Sequence, residues 1–137
     1  MTITLDRPGI TTAAREQRAD LVARAAKVLP RLSGNADAAD RDRRVPDENV
    51  DALAEAGLLS VLAPARHGGL QTDLRTSLEV SREVARGCGS TAWVTTLLNV
   101  CDFYVGLFPA QAQDDVWGAT PGARTAGVLA PTCLLYT

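Results

Sequence analysis

The chain contains 137 residues, of which 46% are hydrophobic and 22% charged, and it carries a formal net charge of −2. That composition is typical of one globular domain, and the length is sufficient for a hydrophobic core. Nucleic acid is not an expected partner, because such binding draws on clusters of Lys and Arg over phosphates. Three cysteines without paired spacing and a single histidine exclude a local zinc motif and a disulfide framework, so no metal site is expected.

Targeting and membrane segments are also not expected. Residues 1–10 are interpreted as a short flexible tail, since they lack a basic leader followed by an apolar stretch. Spanning a bilayer takes about twenty apolar residues, and the longest apolar run is interrupted by Asn99 and Asp102. We therefore expect a protein of the reducing cytoplasm, with free thiols and no membrane partner.

Helical periodicity first appears after Thr11 or Thr12, either of which can cap a helix whose apolar positions recur through residues 21–29. Pro30 removes one backbone donor, so the pattern predicts either one kinked helix or two collinear helices. Charges of alternating sign in residues 37–44 indicate a solvated helix face with ion pairs rather than a binding patch.

Pro46 predicts the start of the next helix, and Gly57 predicts its end. An apolar connection, residues 58–64, then leads into a turn-rich corner that contains His67. No carboxylate or nucleophile lies near His67 in the sequence, so this histidine is interpreted as a surface or turn residue.

The helix after this corner is capped by Thr72 or Asp73. It ends at a tight reversal where Gly87 or Gly89 is predicted to adopt the positive φ that glycine tolerates. Ser90 is the predicted N-cap of the following helix. That helix is apolar on nearly every face, which predicts a central helix packed on all sides by other elements.

The predicted fold class is all-α, a helical bundle that ends in one orphan β-strand. After a short helix between Pro109 and Trp117, residues 123–137 change to a pattern compatible with a single strand. A lone strand cannot satisfy its own backbone groups. We therefore predict three segments: a flexible tail at 1–10, a helical domain at 11–122, and at 123–137 the first strand of an absent β-domain with a divergent end.

Six short motifs follow one another in a distinctive order. They are Arg44-Val45-Pro46, Leu53-Ala54-Glu55-Ala56-Gly57-Leu58, Pro64 with Gly68-Gly69, Gly89-Ser90-Thr91-Ala92-Trp93, Phe108-Pro109 and Val128-Leu129-Ala130-Pro131. In this order they resemble the N-terminal helical domain of the acyl-CoA dehydrogenase superfamily. The Gly-Ser-Thr-Ala-Trp element most resembles the flavin-dependent monooxygenases of the two-component hydroxylase type.

The resemblance implies a lobe that forms one wall of a flavin and substrate cavity. The family completes that cavity with a middle β-domain and a C-terminal four-helix bundle, so this chain alone is expected to lack the domains needed for catalysis. The implied reaction oxygenates a small organic substrate with O2 and reduced flavin, either FMN or FAD, and a separate flavin reductase is an implied partner. By the same resemblance, Trp93, Ser90, Pro131 and Thr132 are expected to bind the cofactor, although a Trp in an apolar helix is more often a core residue.

Cys101 stands eight residues after Trp93 and therefore on nearly the same face of the helix. In the aromatic hydroxylases that the chain resembles, this position commonly carries a histidine that assists by hydrogen bonding or proton transfer. Cys101 is thus the catalytic position implied by the resemblance. Because a thiol is a poor hydrogen-bonding substitute for imidazole, the cysteine weakens the expectation of phenol hydroxylation and leaves other oxygenations open.

Two functions remain open from the sequence. The first is the N-terminal lobe of a flavin-dependent oxidoreductase, a monooxygenase or a dehydrogenase, acting on a small-molecule substrate. The second is a non-catalytic remnant or helical interaction module that binds no flavin by itself. In either case the apolar residues 125–137 have no expected cover, which predicts self-association and a homo-oligomer.

Overall fold

The structure is a computed structural model, and it describes residues 11–127. Its helices are α1 Thr12–Gly34, α2 Ala36–Asp42, α3 Asp47–Glu55, α4 Leu74–Ala85, α5 Gly89–Gly106 and α6 Ala110–Trp117, with a short 3-10 turn at Ala65–His67. No strand occurs within residues 11–127, so the all-α class is confirmed. The described part of the predicted strand, residues 123–127, is irregular, and the remainder lies outside the described residues, as does the tail at 1–10.

Helix α1 begins where the sequence predicts, because the Thr11 side chain accepts a hydrogen bond of 3.2 Å from the Ala14 amide. Pro30 lies inside α1 and does not end it. The interruption falls at Asn35, whose φ of −99° and ψ of 3° separate α1 from α2. Of the two predicted alternatives, two separate helices are therefore found.

The end of α3 also follows the prediction. Gly57 has a φ of +72°, a conformation that glycine adopts without steric cost. The Leu58 amide then donates to the Leu53 carbonyl at 2.9 Å, which closes the last turn of the helix. Pro46 is the residue immediately before α3 rather than its first helical residue.

The core lies between α1, α4 and the connection that follows α3. Its fully buried side chains are Leu21, Leu32, Leu53, Leu58, Val61, Val80 and Val84. Each large aliphatic side chain buried in this way typically contributes about 2–5 kcal/mol relative to Ala. The short connection between α4 and α5 makes these two helices neighbours, and both pack within the bundle that α1 completes.

A buried arginine joins α1 to the start of α4. Arg18 is 8% exposed, and its guanidinium donates to Asp73 Oδ2 at 3.0 Å and to Thr76 Oγ1 at 3.1 Å. Asp73 is the cap of α4, since its Oδ1 accepts from the Thr76 amide at 2.6 Å. Burial acts to raise the pKa of Asp73, but the Thr76 hydrogen bonds and the Arg18 charge outweigh it and lower the pKa.

The predicted positive φ at Gly87 or Gly89 is wrong. Within residues 11–127 the glycines with positive φ are Gly57, Gly68 and Gly122. The chain reverses through Cys88, which is extended with φ −159° and ψ 118°. Space is instead tight at Gly87, because a Cβ there would lie 3.1 Å from both Leu29 Cδ2 and Leu32 Cβ.

The prediction that α5 is packed on all sides is also wrong for the described chain. Its buried face is largely polar and carries Thr91, Thr95, Asn99 and Asp102. Large apolar side chains along α5 and just beyond its end stay exposed in residues 11–127, namely Trp93, Leu97, Tyr104, Leu107 and Phe108. Among residues 11–127, none of the helices combines the length and the apolar character that a membrane span needs.

Asn99 explains how a polar face can be buried. Its Oδ1 accepts from the Val61 amide at 2.7 Å, and its Nδ2 donates to the carbonyls of Leu58 at 2.9 Å and Thr95 at 3.0 Å. The side chain therefore satisfies backbone groups of the connection that follows α3, which would otherwise be buried without partners. This bonding fixes which face of α5 points inward.

Candidate functional site

The outward side of α5 forms an apolar groove with the chain that follows α6. We call it the α5 groove; it is lined by Leu97, Val100, Cys101, Tyr104, Val105, Phe108, Thr125, Ala126 and Gly127. Its volume is about 540 Å³, within the range of small-molecule pockets. Among the described residues, only Cys101, Tyr104 and Thr125 bring side-chain heteroatoms to this lining. The groove is suited to a largely apolar molecule with one or two polar groups.

Cys101 lies in this groove, as the sequence places it, on the outward side of α5. The thiol is free and partly buried. A Cβ on Gly127 would lie 3.4 Å from its sulfur, so the backbone at Gly127 approaches the thiol closely. A thiol is only a weak hydrogen-bond donor, so Cys101 is poorly suited to the hydrogen bonding that the resemblance implies at this position.

Trp93 and Ser90 lie in a neighbouring groove. Trp93 is 66% exposed, so the alternative that it is a core residue is wrong in the described chain. With Ser90, Arg43 and Arg44 it lines an open groove of about 530 Å³. The predicted N-cap role of Ser90 is also wrong, because Cys88 occupies the cap position and Ser90 lies inside the first turn.

The structure brings these predicted residues to one side of α5 but not into one pocket. Trp93 and Cys101 line different grooves, with Leu97 between them on the helix. Eight residues of helix separate them by about 12 Å along the axis. Pro131 and Thr132, the other two predicted cofactor-binding residues, lie outside the described residues.

A buried carboxyl adjoins the α5 groove and was not among the predicted site residues. Asp102 is 3% exposed, and Thr125 Oγ1 donates a hydrogen bond of 2.6 Å to its Oδ1. Burial raises the pKa of Asp102 above its ordinary value, and the hydrogen bonds from Thr125 partly oppose this. The signal in the sequence is a carboxylate within an apolar run, a pattern that also argues against a membrane span.

Behind Asp102 is a second cavity, of about 380 Å³, whose lining includes His67, Trp117 and Arg124. The sequence indicates a surface or turn residue at His67; it does lie in a turn, but its side chain is only 9% exposed, so it is not a surface residue. Its ring lies 5.2 Å from that of Trp117, and its Nε2 is 3.6 Å from Asp114 Oδ1, without a hydrogen bond. The 3-10 turn at Ala65–His67 directs the ring against α6.

Within residues 11–127 no group of three or more His, Cys, Asp or Glu side chains is arranged to hold a metal ion. The predicted site residues within the described chain lie at or beside three cavities, which are the two outward grooves on α5 and the cavity behind Asp102. Of these, the α5 groove has the most apolar lining.

Comparison with known proteins identifies relatives of this architecture. Residues 12–117 match the family model described as acyl-CoA dehydrogenase, N-terminal domain. The chain is 39% identical over 104 residues to the oxygenase subunit HsaA, a flavin-dependent monooxygenase of Mycobacterium tuberculosis (strain ATCC 25618 / H37Rv), covering 76% of this chain and 26% of the relative. It is 35% identical over 105 residues to the oxygenase component of p-hydroxyphenylacetate 3-hydroxylase from Acinetobacter baumannii, covering 77% and 25%.

Solved structures give the same result. XiaF from Streptomyces sp., in complex with FADH2 and glycerol, superimposes with a TM-score of 0.78 and 35% identity, covering 82% of this chain and 28% of XiaF. The resemblance drawn from the order of the motifs is thus confirmed, including its flavin-dependent monooxygenase branch. The chain spans about a quarter of the length of these relatives. The roles of Trp93, Ser90 and Cys101 stay predictions.

Proposed function

The chain belongs to the acyl-CoA dehydrogenase N-terminal domain family, and on this basis we propose that it forms one wall of a flavin-dependent monooxygenase cavity. The single observation that carries the proposal is the outward, apolar side of α5, where the helix buries its polar residues and exposes its aromatic ones. A helix with this arrangement presents its apolar surface to a further component. In the proposed assembly, that component is a flat cofactor and its substrate.

The residues on the outward side of α5 are suited to pack against the flat ring system of a reduced flavin. Trp93 offers an exposed aromatic plane, and the α5 groove offers an open apolar surface further along the same helix. Trp93 and Ser90 are the residues that we propose to contact the flavin, and FADH2 is the proposed form because XiaF holds it. When bound, reduced flavin supplies the activation of O2.

The proposed contribution of this chain is to bind, orient and exclude water. Leu97, Tyr104 and Phe108 provide apolar surface that displaces water from a substrate ring. The proposed substrate is a small, largely apolar organic molecule, since the lining of the α5 groove offers few polar partners. The proposed partner is a separate flavin reductase, because the relatives are named as an oxygenase subunit and an oxygenase component.

A helical interaction module is the second candidate function. The same exposed aromatic side chains could dock on another protein without any cofactor, since interface centres are enriched in Trp, Tyr and Phe. Under this alternative the chain has no affinity for flavin and the α5 groove takes no small molecule. The two candidates therefore differ in a directly measurable property.

The test is an anaerobic titration of the full chain with FADH2, followed by tryptophan fluorescence. The proposal predicts saturable quenching in the wild type. In Trp93→Ala the affinity for FADH2 should fall at least tenfold, measured by the fluorescence of the remaining Trp117 or of the flavin. Leu78→Ala is the matched control, because Leu78 is 63% exposed on α4 and lies in neither α5 groove. No saturable binding in the wild type, or equal weakening by both substitutions, would favour the interaction module.

A further inference from the structure

The α5 groove has one polar group that is held in place by a buried partner. Of its three heteroatom-bearing side chains, Tyr104 is 42% exposed and Cys101 is a weak hydrogen-bonding group. Thr125 differs from both, because its hydroxyl is fixed at 2.6 Å from the buried Asp102 carboxyl. Thr125 also lines the groove itself, so it connects a solvent-facing surface to a buried ionisable group.

The hydrogen-bond donors and acceptors of Thr125 and Asp102 determine which ligand groups they can recognise. A hydroxyl has one hydrogen and two acceptor lone pairs, and an ionised carboxyl has only acceptors. When Asp102 is ionised, the single hydrogen of Thr125 must point to Asp102 Oδ1. The Thr125 oxygen then remains as an acceptor for a ligand in the groove, which must bring a donor such as a hydroxyl or an N–H.

Protonation of Asp102 would reverse this polarity. A neutral Asp102 can donate to the Thr125 oxygen, and Thr125 can then turn its own hydrogen towards the groove. Among the described residues, the other charged and titratable side chains that line the cavity behind Asp102 are His67 and Arg124, and Asp114 lies 3.6 Å from His67. The hydrogen bonds from Thr125 favour the ionised carboxyl, whereas burial of Asp102 favours the neutral form and raises its pKa.

We propose that Thr125, oriented by Asp102, is the polar recognition point of the α5 groove, and that the groove takes ring-sized apolar molecules carrying a hydroxyl or N–H donor. This inference deepens the proposed function and rests on it for the role of the ligand as a substrate. Thr125 contacts the ligand, and Asp102 is a positioning residue that acts through Thr125. The pair supplies the hydrogen bonding that the thiol of Cys101 supplies poorly.

The experiment measures binding of two probes, phenol and anisole, to the full chain by NMR titration at pH 7.5. The probes differ in the donor hydrogen, which anisole replaces with a methyl group. We expect phenol to bind about three- to tenfold more tightly, the range of one net hydrogen bond. Thr125→Val should remove this preference and Thr125→Ser should retain it, with far-UV circular dichroism confirming the fold of each variant.

The positioning role of Asp102 has its own readout. In the wild type, the preference for phenol should decline as the pH falls through the pKa of Asp102 in the folded chain. In Asp102→Asn the amide oxygen can still accept from Thr125, so the preference should remain but no longer follow pH. This profile tests the pair even if Thr125→Val does not fold.

Three results would overturn the inference: no binding of either probe, equal binding of both probes by the wild type, or an undiminished preference in folded Thr125→Val. A preference in the wild type that shows no pH dependence would overturn the role of Asp102. The FADH2 titration is independent of these outcomes. Loss of flavin binding with an intact phenol preference would reject the monooxygenase proposal alone, and the converse would reject only the recognition role of Thr125.

Discussion

A Cβ added to Gly87 would lie 3.1 Å from the Cβ of Leu32, so the corner between α4 and α5 is pressed directly against α1. This contact predicts the effect of Gly87→Ala. The substitution removes some unfolded-state entropy, worth about 0.4–1 kcal/mol, but overpacking costs about 1–3 kcal/mol. We expect a net loss of about 1 kcal/mol in the free energy of unfolding, measured by urea denaturation.

Gly89→Ala is the matched control for this prediction. Nothing lies within 4 Å of a Cβ at Gly89, and the residue already lies in helix α5. The substitution should be neutral or stabilising by up to about 1 kcal/mol, because Ala has the higher helix propensity. Equal effects of the two substitutions would show that packing against α1 does not determine the need for glycine at position 87.

Asn99→Ala should be the most destabilising substitution on α5. It leaves the Val61 amide and the Leu58 carbonyl without their side-chain partner, and each buried unsatisfied group costs about 1–3 kcal/mol. We expect a loss of about 3 kcal/mol or more in the free energy of unfolding. Leu97→Ala, on the outward side of the same helix, should change stability by less than about 0.5 kcal/mol. A small effect of Asn99→Ala would contradict the orientation of α5.

Asp73 should stabilise the fold at neutral pH. Its pKa in the folded chain is lowered from 3.8, because the Thr76 hydrogen bonds and the Arg18 charge outweigh the effect of burial. A lowered carboxyl pKa contributes stability above the unfolded value, and that contribution is lost as the pH falls through the folded pKa. The free energy of unfolding, measured by urea denaturation, should therefore be larger for the wild type than for Asp73→Asn at pH 7. This difference should shrink towards pH 2. A difference in stability that does not change with pH would show that the charges of Arg18 and Asp73 do not contribute to stability.

Asp102 should behave in the opposite way. Burial raises its pKa from 3.8, so its contribution to stability is fully present below that value and is lost as the pH rises through the folded pKa. Asp102→Asn keeps an acceptor for Thr125 without a charge to bury. The stability of this variant relative to the wild type should increase between pH 3 and pH 8. A relative stability that falls over this range would show that the ionised form of Asp102 is the one stabilised by the fold.

The sequence predicts element positions well where a local signal exists. Thr11 and Asp73 cap their helices through their own side chains, and Gly57 ends α3 through its own backbone freedom. These signals depend on a few neighbouring residues and not on tertiary structure, so they can be recognised without it.

The orientation of α5 could not be predicted in the same way. Its apolar residues occur on nearly all sides, so their periodicity does not show which face of α5 is buried and which is exposed. The choice is made by Asn99, whose partners at Leu58 and Val61 lie about forty residues away in the chain. For the same reason the sequence missed the burial of His67 against Trp117, a contact between a turn and a helix far along the chain.

The central claim is that the outward side of α5 is the wall of a cofactor and substrate cavity. Backbone amide shifts of the full chain, recorded anaerobically with and without FADH2, test it most directly. The account predicts that the shifts concentrate on residues 90–108 and 124–127, with α1 and α3 unchanged. Shifts confined to α1 and α3, or no saturable shifts at all, would contradict it.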